Sequence, residues 1–219
     1  MAFLNPFRPF PNSEKGIVMT YRTLILAPHI DDEVLGCFSF LSEASFVLWF
    51  GLGCFDETKP AERLAEAESL ASHLGFGFEI LDHPVNRYRT DRLIQDIETK
   101  IIALQPQTVL LPTPSYNQDH RAVFDAGLTA TRPHDRLPFT REVLVYEQVH
   151  AALWPRDRFQ PQYFRSIDIQ EKLEAWQKLP SQHREHRSPQ HIRTLAQWRG
   201  NQAKVGFAEG FQVLRWVAS

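Results

Sequence analysis

The sequence predicts an α/β layer sandwich whose sheet is mostly parallel. Short apolar runs recur along the chain, the stretches between them place apolar residues every three or four positions, and the two patterns alternate. The runs are TLILAP, FVLWFG, FGFEILD, TVLLP and EVLVYE, which read as strands covered on both faces. Between them, Leu64, Ala67, Leu70, Ala71 and Leu74 make one helical stripe, and Leu93, Ile97, Ile101 and Leu104 make another. Each stripe packs one side of a helix on the sheet. Alternating strand and helix implies right-handed crossovers and a doubly wound sheet.

From about Pro155 the texture changes. YFRSIDI reads as a strand, Ile169, Leu173, Trp176 and Leu179 as a helix, and Ile192, Leu195 and Ala196 as another; FAEGFQVLRW closes the domain as a late strand. There is no internal repeat, no low-complexity tract and no linker that demands a second domain. The expected organisation is an N-terminal arm over residues 1–20, with Met19 as an alternative start, and one domain over 21–219.

A chain of 219 residues is long enough to bury about 70% of its unfolded surface without a staple. With 24 basic and 26 acidic residues the formal net charge is -2, which gives no support to a nucleic-acid groove or an anionic membrane surface. The two cysteines, Cys37 and Cys54, lack metal-ribbon or redox spacing and read as free thiols of a reducing compartment. The N-terminal stretch has no continuous apolar region or cleavage site, and no apolar run approaches the ~18 residues of a membrane span. A cytoplasmic location is the resulting expectation.

The stretch LILAPHIDDEVLGC places His29, Asp31, Asp32 and Glu33 where the first strand turns into a helix. Ligands of open parallel sheets bind beyond such strand ends. The acids favour a helix N-terminus by up to ~1 kcal/mol, which is one reading. Three adjacent acids also repel one another, and a divalent cation relieves that repulsion. His and Asp three apart suit an ion such as Zn²⁺, which takes about three protein ligands and an open position. The missing ligand is expected at another strand end. After TVLLP the chain reads TPSYNQDHRAVFDAG, with Asp119 and His120 beside the start of a helix.

PHIDDE together with NQDH resembles the LmbE-like/PIG-L family of metal-dependent N-deacetylases. RLAEAESLASHLG is similar to that family's Arg-x-x-Glu helix, and HPVNRY, LPSQHREH, LAQWRG and FAEGFQVLR are similar to its later blocks, from about Tyr21 to Trp216. The resemblance implies a Rossmann-like fold and a zinc ion, or a similar ion such as Fe²⁺, held by His29, Asp32 and His120, with Asp31 as general base. It implies hydrolysis of an N-acetyl group from a sugar such as N-acetylglucosamine or a sugar conjugate. Ile30 replaces the family's proline. Asn117 stands where many members have a histidine; an asparagine can donate to an oxyanion but cannot shuttle a proton near neutral pH.

Arg63 and Arg87 are the expected substrate contacts, because a guanidinium offers several donors in fixed geometry. Asp119 either orients His120 or caps its helix, and Glu33 reads as a structural partner at the helix start. Gln182 and Glu209 lie in similar blocks without assigned chemistry. His183, His186 and His191 read as a solvated loop, Trp154, Trp176, Trp198 and Trp216 as packing residues, and Cys37 as core. The rival readings are a metal-dependent phosphoesterase, which usually needs a second metal and more carboxylates, and a non-catalytic sugar-binding member. Self-association is left open.

Overall fold

The computed structural model describes residues 20–53, 59–149 and 159–218. Met19 and most of the expected arm, Cys54 and Trp154 lie outside them. Seven strands form one sheet: β1 (Thr23–Ala27), β2 (Ser45–Trp49), β3 (Gly77–Ile80), β4 (Thr108–Pro112), β5 (Glu142–Tyr146), β6 (Tyr163–Ser166) and β7 (Ala208–Trp216). The spatial order is β3-β2-β1-β4-β5-β7-β6. The first five strands are parallel, and β7 and β6 extend the sheet antiparallel. Among the described residues, no helix is long and apolar enough to cross a membrane.

Alternate residues of each central strand face opposite layers, as the period of a strand requires. Ile25 and Ala27 of β1 pack with Val47 and Trp49 against α1 (Asp32–Cys37), α2 (Pro60–Leu74), α5 (Ile169–Gln177) and α6 (Pro189–Ala203). Leu24, Leu26, Leu48, Val109 and Leu111 pack against α3 (Thr90–Leu104) and α4 (Gln118–Ala130). The three-layer, mostly parallel sandwich expected from the sequence is therefore present.

One helical stripe differs at its start. Leu64 is 37% exposed, and the neighbouring Arg63, 8% exposed, is buried with Ala67, Leu70 and Ala71. The α2 helix is rotated so that a guanidinium rather than a leucine enters beneath the loop that follows α5. The tryptophans also divide. Trp176 is a packing residue, fully buried, whereas Trp198 and Trp216 are about half exposed. Cys37 is buried in the core, as expected.

The sheet reverses its winding beside β1. The chain runs outward through β2 and β3, then returns to place β4 on the other side of β1, with Thr23 opposite Thr108 and Ile25 opposite Leu110. The C-terminal ends of β1 and β4 are thus side by side at a topological switch point, the place where such sheets hold ligands.

The short helix α1 is fixed from below by buried polar contacts. Glu209 on β7 accepts from the amides of Phe38 and Ser39, at 2.9 and 2.8 Å, and from Lys172 Nζ at 2.7 Å. Lys172 Nζ also donates to the carbonyl of Leu35 at 2.8 Å. Glu209, a residue whose sequence context carried no chemistry, therefore anchors the end of α1. Gly36 permits the close seating of that helix, because a Cβ there would lie 2.3 Å from the Tyr146 ring and 2.7 Å from the carbonyl oxygen of Glu147. Removing one member of a buried ion pair leaves the other uncompensated. Lys172→Met is expected to lower the unfolding free energy by about 3–5 kcal/mol in denaturant titration; a loss below about 1 kcal/mol, the range of a surface pair, would remove this anchoring role.

Candidate metal centre

His29 follows β1 in the turn that ends at Asp31, the N-cap of α1, and Asp32 begins the helix. Asp31 has a backbone φ of 147°, a strained conformation for a residue with a side chain. Its amide donates to Glu33 Oε2 at 3.2 Å, and its carbonyl accepts from the Leu35 amide at 2.9 Å, so the turn is held from both sides. On the neighbouring strand end, Asn117 caps α4: its side-chain oxygen accepts from the Asp119 amide at 2.8 Å. The same first turn brings Asp119 and His120 inward, both buried.

Three donors converge from these two turns. Asp32 Oδ2 lies 3.5 Å from His29 Nδ1 and 3.5 Å from His120 Nε2. A ligand atom from each of the three residues lies within 4.8 Å of the others. Zinc–ligand bonds of roughly 2.0–2.2 Å at tetrahedral angles separate donors by about 3.4 Å, so the spacing fits one ion. The mixture of imidazole and carboxylate also suits zinc and related divalent ions. The donor set expected from the motif resemblance is thus brought together.

Asp119 takes a different partner from the one expected. Its Oδ2 accepts from His29 Nε2 at 3.1 Å, not from His120, and also from the Asn86 amide at 2.6 Å. The Tyr88 amide reaches its other oxygen at 3.4 Å. Neighbouring residues on a helix do not face each other, so the carboxylate turns away from His120 and toward the β1 turn. It holds His29 with the proton on Nε2 and the Nδ1 lone pair directed at the cluster, a common support for a metal-ligating histidine. Tyr88 stacks on His29 with ring centres 6.1 Å apart, and its hydroxyl donates to the carbonyl of Pro28 at 2.8 Å.

The acids that crowd this turn are separated electrostatically. Burial favours the neutral form of Asp32, but His120 and His29 outweigh it and hold the carboxyl well below the usual range. Burial pushes Asp31 up to about 6, opposed by Arg187 and assisted by Asp32. Burial also carries Glu33 up to about 8, despite a hydrogen bond of 2.8 Å from Trp49 Nε1. Glu33 is therefore neutral near pH 7 and acts as the structural partner anticipated at this position.

Arg187 is the site residue missed in the sequence. It ends a 3-10 turn, Glu185–Arg187, and its Nη1 donates to Asp31 Oδ2. The loop that carries it is fixed to α2. Glu66 accepts from the amide and the hydroxyl of Ser181, and the Gln182 side-chain oxygen, with its amide oriented to suit its neighbours, accepts from Arg63 Nη2 at 2.9 Å. Arg63 also donates to the carbonyl of Gly53 at 3.0 Å. It thus has protein partners beneath the site, and Gln182 gains a role in holding the loop. His183 and His191 are exposed, in keeping with a solvated loop, but His186 is half-buried beside Arg187. Arg87 is exposed in the turn before α3 and is not among the clustered donors.

No family model matches the sequence, and no curated protein matches it. Solved structures do match. The N,N'-diacetylchitobiose deacetylase from Pyrococcus horikoshii superposes with a TM-score of 0.73 at 20% identity, over 88% of this chain and 83% of that one. The A40926 pseudoaglycone deacetylase Dbv21 gives 0.70 at 22% identity, over 91% and 100%. GalB, the 4-carboxy-2-hydroxymuconate hydratase from Pseudomonas putida KT2440, gives 0.69 at 19% identity, over 90% and 98%.

Two outcomes follow from this geometry. Burial lowers the pKa of His29, but Asp119 and Asp32 outweigh it and bring it to about 9, above its ordinary 6.5. The ion-free histidine is therefore protonated at neutral pH, and an ion requires it neutral. Zinc binding near pH 7 is expected to release about one proton, and affinity is expected to rise with pH until about 9; calorimetry in buffers of different ionisation enthalpy measures both. No proton release would remove the assignment of His29. Asp119→Asn is expected to weaken zinc binding by about 10–100-fold through His29, measured by competition with a chelator; unchanged affinity would leave Asp119 a fold residue. At these identities the likeness establishes the fold, and the chain has the LmbE-like fold of the deacetylases to which it is similar.

Proposed function

We propose that this chain is a zinc-dependent N-deacetylase that removes the acetyl group from an N-acetylated sugar or sugar conjugate. The observation that carries the reading is the convergence of His29, Asp32 and His120 beside the buried carboxylate of Asp31, at the switch point of the sheet. The motifs that resemble the LmbE-like/PIG-L family agree with it, as do fold neighbours named as deacetylases of diacetylchitobiose and of the A40926 pseudoaglycone. The hydratase among the neighbours means that the fold alone does not choose the reaction, so the weight rests on the donor set and its base.

A divalent ion at this site supplies a Lewis acid for the amide carbonyl and a water of lowered pKa. Asp31, joined to the ligand Asp32 by the chain, accepts the proton of the attacking water. When the C–N bond breaks, Asp31 returns that proton to the departing nitrogen, since Asn117 has no proton to give near neutral pH. The amide nitrogen of Asn117 is a donor to the oxyanion, its oxygen being engaged as the cap of α4. Asp119 and Tyr88 keep His29 oriented. Arg87, exposed in the turn before α3, is the proposed contact for a substrate hydroxyl or phosphate.

Acetate and phosphate release from a panel of N-acetylhexosamines, their conjugates and phosphoesters tests the reading. Acetate release that a chelator abolishes is expected, while phosphate release alone would favour a phosphoesterase. Asp31→Asn is expected to keep the metal and lose about 10²–10⁴-fold in kcat. Asp32→Asn is expected to lose metal and turnover together. Full activity in Asp31→Asn would remove the base assignment.

A further inference from the structure

We propose that Arg187 is a catalytic residue of this site: its guanidinium pairs with Asp31 in the resting protein and stabilises the substrate oxyanion that forms when Asp31 takes up the proton. The inference rests on the deacetylase reading and deepens it by supplying a cation that the motifs do not contain.

Arg187 comes from a loop 156 residues beyond Asp31. Besides Nη1 on Asp31, its Nε donates to His186 Nε2 at 3.2 Å. Its side chain is 25% exposed, while that of Asp31 is 2% exposed, so the guanidinium reaches from the solvent side to a buried carboxylate. Asp31, then Asp32 and Tyr116, raise its pKa against the burial that lowers it. The loop is not loose there. Ser181 and Gln182 are tied to Glu66 and Arg63 of α2, and His183 Nε2 lies 3.1 Å from the Trp176 carbonyl oxygen.

The reaction moves one negative charge across this guanidinium. As water attacks, an O–H bond breaks and its proton goes to the Asp31 carboxylate; a C–O bond forms, and the carbonyl π pair moves onto the oxygen. Asp31 becomes neutral and the substrate oxygen becomes anionic in the same step. Arg187 loses one ionic partner and gains another, so the buried site never holds an unpaired cation and its net charge stays constant. A guanidinium has several donors in a fixed fork, enough to keep Asp31 and receive the oxygen without a change of rotamer. Asn117 offers only a neutral dipole to the same oxygen. A cation fixed before the reaction is the larger contribution in a water-poor site.

The test uses the zinc-loaded protein and the N-acetylated sugar that it turns over best. Arg187→Met is expected to lower kcat by about 10²–10³-fold while KM stays near the wild-type value, the signature of an interaction made in the transition state. Affinity for a methylphosphonamide analogue of that sugar, which is tetrahedral and anionic at the acyl position, is expected to fall by a similar factor. Zinc content is expected to be unchanged. Arg187→Lys retains part of kcat, and added guanidinium ion restores part of the activity of Arg187→Ala.

Unchanged or raised kcat in Arg187→Met, an unaltered analogue affinity, or a rise in KM at constant kcat would overturn the role. If Arg187→Met fails to fold, Arg187→Lys with the same analogue comparison decides. A wild-type protein that binds zinc and releases no acetate would overturn the deacetylase reading and this inference with it. Wild-type acetate release with a fully active Arg187→Met overturns this inference alone.

Discussion

The pairing of β1 with β4 at the point where the sheet reverses is the constraint on which the site depends. It sets two strand ends side by side, so the turns that follow deliver His29 and Asp32 from one side and His120 from the other. Neither turn holds enough ligands by itself. A switch point brings sequence-distant groups together without a long loop, and the short side chains of Asp and His then need little conformational freedom to meet. The Asp119–His29 hydrogen bond closes the arrangement by joining the start of α4 to the β1 turn.

The crowding of acids in one turn is resolved by giving each a separate environment. Asp32 lies between two histidines and is held strongly ionised. Asp31 faces a guanidinium from a distant loop. Glu33 turns away to Trp49 and the strained Asp31 amide, where burial keeps it protonated near neutral pH. Three adjacent carboxyls therefore place fewer than three charges in the site. The buried contacts of Glu209 and Lys172 hold α1 at the depth where this separation works.

Most of the fold was legible in the sequence because both faces of the sheet are covered, and uninterrupted apolar runs such as TLILA and TVLLP leave little ambiguity. The stripe on α2 was legible except at its start, where periodicity assumes that a leucine is buried in preference to an arginine; Arg63 reverses this because Gly53 and Gln182 satisfy its donors. The candidate donors His29, Asp32 and His120 were legible from two acid–histidine clusters at strand ends. The partner of Asp119 was not, because adjacency in sequence suggests His120 whereas helix geometry turns the carboxylate to His29. Arg187 carried no signal at all: it sits among arginines and histidines in a loop whose path over Asp31 depends on tertiary contacts with α2. The nearest available clue was the Arg63–Glu66 spacing, which pairs with Gln182 and Ser181.

The central claim is that one cation is shared by side chains from both turns. A crystal structure of the zinc-loaded protein, with anomalous scattering recorded across the zinc edge, tests it most directly. The account predicts a single strong anomalous peak at bonding distance from His29 Nδ1, Asp32 Oδ2 and His120 Nε2, with the Asp119 carboxylate still on His29 Nε2. A peak elsewhere, or zinc held by only one of the two turns, would contradict it.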